Sequence, residues 1–324
     1  MGEALDRVEL FAGLDEAALA DLRALARPFE VAADALLFRQ GDPPSGLFLV
    51  ESGLLEIATR MPGDEAAWVS RIAPGEVVGE FALLDDGPRS ATVRAVEDTS
   101  GLLIPARGFA AMLGEGRGGP VAAIDRLRGL VATRTRATLE RLAQTSLAEA
   151  SELRRSPPAI DPAPHVIDAE MLRSLGTFAE LADVDCAELI AAGEGLSATR
   201  NTSLVEAGAK PDTLYLVVRG AVRAAFVRGA LREQVTIHGP GEWAGLVAMI
   251  DRCEQPLALD AVEESILLRV NAAAFLRWRE HPGRIGQVVL AAVDRQLVRD
   301  QRRANRHFGR AIALGRFNAA GSTT

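Results

Sequence analysis

Residues 74–95 read PGEVVGEFALLDDGPRSATVRA. The stretch holds an acid, Glu80, directly after Gly79, and a base, Arg89, beyond a short apolar piece at 81–84. Asp85, Asp86, Gly87 and Pro88 form a turn signal between them. The order predicts a strand end, a tight glycine turn, one turn of helix, a second turn and another strand. Such a turn aims the amides after Gly79 inward at a helix start, where an anion is stabilised. Arg89 adds a planar fork able to hold a phosphate through two parallel bonds. Glu80 is repelled by that phosphate, but a carboxylate suits groups that donate to it, as sugar hydroxyls do. Acid for ribose, amides and arginine for phosphate: the pattern asks for a compact nucleotide with one anionic group. An exposed Glu–Arg pair in a surface loop would carry the same letters and contribute little.

The run G-E-x-A-L-L-x-x-x-P-R-x-A-T-V-x-A, from Gly79 to Ala95, resembles the phosphate-binding cassette of cyclic-nucleotide-binding domains. Such domains occur in protein kinase A regulatory subunits, gated channels and bacterial catabolite activators. The resemblance implies that Glu80 bonds the ribose 2′-hydroxyl and that Arg89 pairs with the cyclic phosphate. It also implies that the amides of Phe81, Ala82 and Ser90 or Ala91 complete the cradle, with Gly79 as its turn. The implied ligand is a cyclic nucleotide, with no metal. In the resembling families a threonine after the cassette arginine favours guanine and an alanine is typical of adenine binders. Ser90 occurs in bacterial adenine-binding relatives yet can also bond guanine, so the reading leans to cyclic AMP and leaves cyclic GMP open.

Long-period self-similarity explains the 324 residues. Residues 10–14 (LFAGL) match 177–181 (TFAEL), and at the same offset Gly41 meets Gly208, Phe48 meets Tyr215 and Gly53 meets Gly220. One residue is then lost in a hairpin. Beyond it, Pro74-Gly75-Glu76 meets Pro240-Gly241-Glu242, Gly79 meets Gly245 and Phe109 meets Phe275. Each copy opens with a helical pattern and continues in short apolar runs broken by Gly and Pro. In the first copy these fall at 35–38, 47–50, 54–58, 68–72, 92–96 and 102–104. Many short strands at regular spacing predict a mainly β fold: two tandem jelly-roll (double-stranded β-helix) barrels with flanking helices.

The second cassette, PGEWAGLVAMIDRCEQPLALDA, keeps the glycine turn and the apolar frame but not the charges. Glu80 is matched by Leu246, Arg89 by Gln255 and Ser90 by Pro256. Loss of a charged partner to an enclosed phosphate removes several kcal/mol, against about 8 kcal/mol for a micromolar complex. The second copy is therefore expected not to bind cyclic nucleotide.

The expected layout is a first barrel with intact cassette at 1–118 and a long connecting helix at 119–155. A Pro-rich linker at 156–165 and a degenerate second barrel at 166–281 come next. An arginine-rich helix at 282–316 and a disordered tail at 317–324 close the chain. The glycines of 114–119 read as a flexible joint, not a dinucleotide motif, because no strand precedes them. In the connecting helix, Ile124, Leu127, Val131, Thr138 and Leu142 form an interrupted apolar seam, a possible homodimer contact. Thr133, Arg134 and Thr135 are candidate contacts to the nucleotide base, being polar at mid-helix; solvated helix positions are an equal alternative.

The net charge of −8 favours neither nucleic acid nor an acidic membrane. Two distant cysteines, Cys186 and Cys253, suit a reducing, cytoplasmic setting. No secretory signal and no membrane-spanning run is read. The four histidines are scattered, and no nucleophile, Walker or kinase signature occurs, so no catalysis and no metal are expected. The arginines at 295–310 could meet an acidic partner or nucleic acid. Interleaved Asp294 and Asp300 favour a solvated face, and no helix-turn-helix segment follows. Two readings stay open. One is a soluble cyclic-nucleotide receptor acting on an unidentified protein partner, without the basic pseudosubstrate run of a kinase inhibitor. The other is a scaffold that uses the barrels for assembly.

Overall fold

A computed structural model describes residues 5, 8–60, 66–144, 153–155 and 161–321. The chain divides into two units, Met1–Leu130 and Val131–Thr324. In the first, helix α1 (Glu16–Leu25) starts where the Asp15 carboxylate accepts from the Ala18 amide at 2.7 Å, and it buries Ala18, Leu19 and Leu22. Strands β1 (Arg27–Val31), β2 (Leu36–Phe38), β3 (Gly46–Ser52), β4 (Leu55–Arg60), β5 (Ala66–Ile72) and β6 (Val77–Val78) follow. The short helix α2 (Phe81–Leu84) precedes β7 (Thr92–Ala95) and β8 (Thr99–Pro105). Helices α3 (Ala106–Gly114) and α4 (Gly118–Gln144) come next, and the boundary between the units falls inside α4.

The strands form two antiparallel four-stranded sheets, β1-β8-β3-β6 and β2-β7-β4-β5. The core between them holds Phe48, Val50, Leu55, Ile72, Val78, Val93 and Ala95. Phe29 and Phe38 stack against Phe48 at 5.1 and 5.8 Å.

The second unit adds β9 (Leu153–Arg155), β10 (Ala163–Pro164), α5 (Ala169–Arg173), α6 (Asp183–Ala191), β11 (Gly193–Ala198) and β12 (Thr202–Val205). Then come β13 (Thr213–Arg219), β14 (Val222–Arg228), β15 (Leu231–His238), β16 (Trp243–Ala244) and α7 (Leu246–Asp251). Strands β17 (Ala258–Ala261) and β18 (Ser265–Asn271) precede α8 (Ala272–Glu280) and α9 (Arg284–Gly321). Its two sheets run β10-β11-β18-β13-β16 and β12-β17-β14-β15-β9.

The repeat persists in the irregularities. Register shifts at Val50/Ser52 and Ile57/Ala58 recur at Val217/Arg219 and Ala224/Ala225. Even one cross-strand ion pair recurs with its charges exchanged. Glu56 opposite Arg94 in β4–β7 becomes Arg223 opposite Asp260 in β14–β17.

Several expectations change. Helix α4 ends at Gln144, and Leu153–Arg155 is an edge strand on β15, so no single helix spans 119–155. Part of the expected linker is also strand: Ala163 and Pro164 pair with Ser197 and Leu196. Pro is tolerated there because an edge strand leaves one side unpaired. Residues 156–160 lie outside the described part. Helix α9 runs on to Gly321 through most of the expected tail, and 322–324 are not described. The seam residues Ile124, Leu127, Val131, Thr138 and Leu142 are all buried within the chain. The homodimer contact expected on that seam therefore finds it already covered.

Candidate functional site

Gly79 turns the chain at φ +85°, a left-handed value that glycine adopts without penalty. The chain then enters α2 directly, with Glu80 at its start and Ala82 and Leu84 buried beneath. Across the loop, the Arg89 amide donates to Asp42 O and the Gly41 amide donates to Arg89 O, both at 2.9 Å. These two bonds pin the arginine backbone against the turn at Gly41.

The Arg89 side chain is 6% exposed and Glu80 8%. Both charges are thus inside the fold, not in bulk water. The guanidinium donates to Gly79 O at 3.2 Å, Ser45 Oγ at 2.7 Å and Gly46 O at 2.9 Å. It lies 4.1 Å from the centre of the Phe38 ring and 5.5 Å from that of Phe48. All three of these acceptors are neutral oxygens, and Nε is buried with no partner among the described residues. Burial lowers the Arg89 pKa, the charges of Glu80 and Asp42 offset part of that, and the net value is about 10. A buried cation resting on neutral oxygens is costly, and an anion brought to it would offset that cost.

The other expected cradle groups divide. The Ala82 amide is already used, donating to Gly79 O at 3.1 Å. The amides of Ser90 and Ala91 carry no hydrogen bond among the described residues, and both residues are half-buried. Phe81, half-buried, opens α2.

The helix residues expected near a base have other partners. Thr133 donates to Asp251. Thr135 is buried, its hydroxyl 2.8 Å from Val131 O and 2.6 Å from Gln301 Oε1, the two acceptors open to its one proton. Arg134 is also not free. The Thr133 and Thr135 hydroxyls therefore hold α4 to α7 and α9 within the second unit. The sequence could not reveal this, because polar mid-helix residues read alike whether they face a ligand or another helix. The joint at 114–119 is likewise tied down. Asp21 accepts from Arg117 Nε at 3.0 Å and from the Gly119 amide at 3.2 Å.

Sequence reasoning missed Ser45, Gly46 and Phe38. They lie far from the cassette in sequence and carry no motif, and only the sheet pairing brings them to Arg89.

The second cassette keeps the same backbone frame. Gly245 has φ +98°, the Gly208 amide donates to Gln255 O, and the Gln255 amide donates to Ala209 O, both at 2.9 Å. Leu246 and Gln255 occupy the acid and arginine positions, 2% and 4% exposed.

The first unit is thus a two-sheet barrel whose glycine turn faces a buried guanidinium. A family model described as "Cyclic nucleotide-binding domain" matches residues 28–115 and 196–281, together more than half of the chain. The chain belongs to that family, with two copies of the domain. Among curated proteins it is similar to "Acetyltransferase Pat" of Mycolicibacterium smegmatis, 39% identical over 97 residues, 30% of this chain and 29% of that protein. It is also similar to "Cyclic AMP receptor protein" of Thermus thermophilus, 38% identical over 77 residues, 24% of this chain and 36% of that protein. The chain spans less than half the length of these relatives. Among solved structures, the regulatory domain of Toxoplasma gondii PKA with cAMP aligns at 20% identity and TM-score 0.33, over 89% of this chain and 93% of that one. Among the described residues there is no cluster of three potential metal ligands, and no helix is long and apolar enough to cross a membrane.

Proposed function

We propose that this chain is a cyclic-nucleotide receptor that binds one nucleotide, cyclic AMP in preference to cyclic GMP, in its first domain. The observation that carries the reading is Arg89, buried on neutral oxygens beside the buried acid Glu80. The cyclic phosphate accepts from the guanidinium and from the Ser90 and Ala91 amides. Glu80 accepts from the ribose 2′-hydroxyl, the one sugar hydroxyl that a 3′,5′-cyclic phosphate leaves free. Ligand then shifts the cassette between two arrangements by its differential affinity for them. The output is a changed contact with a partner protein. The relatives named above include one called an acetyltransferase, so a receptor domain of this kind can also serve an enzyme elsewhere in a chain.

Calorimetry with cyclic AMP, cyclic GMP and linear AMP tests the proposal. One site per chain, lost in Arg89→Ala and kept in Gln255→Ala, is the expected result. Equal losses in both variants contradict the one-site reading. A scaffold role without ligand is the second reading. It is favoured by the second cassette, which keeps the full backbone frame after losing both charges.

A further inference from the structure

Helix α4 enters the second unit at Val131, and residues 131–144 make two kinds of contact there. The apolar kind comes from Leu139 and Leu142. Both are buried in one cluster with Val217, Val222, Leu259 and Leu267, from β13, β14, β17 and β18. The polar kind flanks them. The Asp251 carboxylate, at the end of α7, accepts from the Thr133 hydroxyl and from Arg136 Nε. At the far end, Arg228 of β14 donates to Ala143 O at 2.7 Å, one of the carbonyls that a helix C-terminus leaves unpaired.

The second barrel has a closing helix of its own. Gln296 of α9 accepts from the Trp243 amide at 2.6 Å and donates to Trp243 O at 2.7 Å, and Arg303 donates to Glu242 Oε1 at 3.0 Å. Its two sheets pair strand to strand, and α4 adds no strand to either. Helix α4 is thus an addition to a barrel already held together. The space left beside it, bordered by Thr135, Leu139, Gln255 and Leu257, is a cavity of about 50 Å³. That is room for a few waters, far below the roughly 300 Å³ at which small-molecule sites begin.

The residue types of the second cassette suit a helix as its occupant. Leu246 and Gln255 stand where the first copy has Glu80 and Arg89. The Leu139–Leu142 face asks for no buried charge, and an unpaired one beside it would be costly. Asp251, an acid that the second cassette keeps at the position of Asp85, is the one that takes Thr133 and Arg136.

We propose that the second copy is a socket for this chain's own helix α4. Residues 131–144 are its occupant, hooked at Asp251 and detachable while the barrel stays folded. The socket stands whether or not the first domain binds nucleotide. Since α4 starts at Gly118 in the first unit, occupancy of the socket is the quantity through which the first domain can act on the second.

Hydrogen exchange on the full chain tests this, because it reads α4 and the barrel strands separately. In Asp251→Asn and in Arg136→Gln, the amides of 131–144 should exchange at least about tenfold faster, the loss of one charge-assisted bond. The amides of β13, β14 and β18 should keep the rates of the parent chain. Leu139→Asp, which puts a charge in the apolar seat, should free 131–144 altogether and again spare the strands. Strand amides that speed up together with α4 would make the helix a part of the barrel core and overturn the socket. Unchanged rates at 131–144 in both hook variants would overturn it as well. Asp251 and Arg136 are partly exposed, so their substitution keeps the core, and they decide the matter if Leu139→Asp does not fold.

Discussion

A Cβ added to Gly79 would run into Nη1 of Arg89, closer than real Cβ contacts come. Turn glycine and cassette arginine are therefore one device. The left-handed backbone, φ +85°, clears the space in which the guanidinium lies and presents Gly79 O to it. Gly79→Ala should strain the turn and push the guanidinium off its acceptors. Affinity for cyclic AMP should fall by more than about tenfold, in keeping with about 1–3 kcal/mol for a strained backbone position. Gly245→Ala meets Gln255 Nε2 at 3.1 Å and should leave that affinity unchanged. Calorimetry on both variants checks the contrast.

Arg89→Ala should reduce cyclic AMP affinity by at least about a hundredfold, the scale of removing one partner of a buried charge pair. Arg89→Lys should recover only part of this. A lysine brings a point charge but cannot reach Ser45, Gly46 and a phosphate through one planar fork. A lysine variant as tight as the parent chain would show that bidentate geometry is not used.

The exchanged ion pairs should differ in weight. Arg223 and Asp260 are 7% and 0% exposed, with Arg232 Nε a further 3.6 Å from the same carboxylate oxygen. Glu56 and Arg94 are 13% and 34% exposed. Asp260→Asn should destabilise the second unit by about 3 kcal/mol by leaving the buried Arg223 guanidinium without its charged partner, while Arg232 keeps Glu206. Glu56→Gln should cost the first unit about 0.5 kcal/mol. Hydrogen exchange of the β14 and β4 amides reads the two units separately.

Acid should loosen the contact of α9 with its barrel. Burial raises the Glu242 pKa, but the His238 bond and the Arg303 bond and charge outweigh it and bring it to about 2. A carboxylate held below its ordinary range adds stability above about pH 4.5. That stability is lost as pH falls toward 2. Asp300 opposes it, since burial shifts its pKa upward despite the nearby His238 and Arg303 charges. Stability of the second unit should thus fall between about pH 4.5 and 2, and Glu242→Gln should flatten that slope. A slope unchanged by the substitution would place the acid sensitivity elsewhere.

The duplication, the strand-rich barrels and the cassette were all legible from residue spacing. Turn glycines, alternating apolar runs and a Glu–Arg pair at fixed separation are local features, and local chemistry shows in the letters. The edge strand β1 and the inner strand β11 were not read. β1 is largely exposed, and Gly193 and Gly195 break the pattern in β11, so neither carries the alternation that marks a half-buried strand. The extent of α4 was overestimated for a related reason: helix propensity continues past Gln144, while pairing with β15 claims residues 153–155.

Residue types by themselves determined that one copy carries the turn glycine with an acid and an arginine, and the other only the glycine and the apolar frame. Only the folded chain decided what surrounds those positions. Phe38, Ser45 and Gly46 reach Arg89, and the Thr135 hydroxyl is spent on Gln301, through contacts between residues remote in sequence. Such contacts depend on strand register and helix packing, which are summed over the whole core and leave no mark at the individual residues that they bring together.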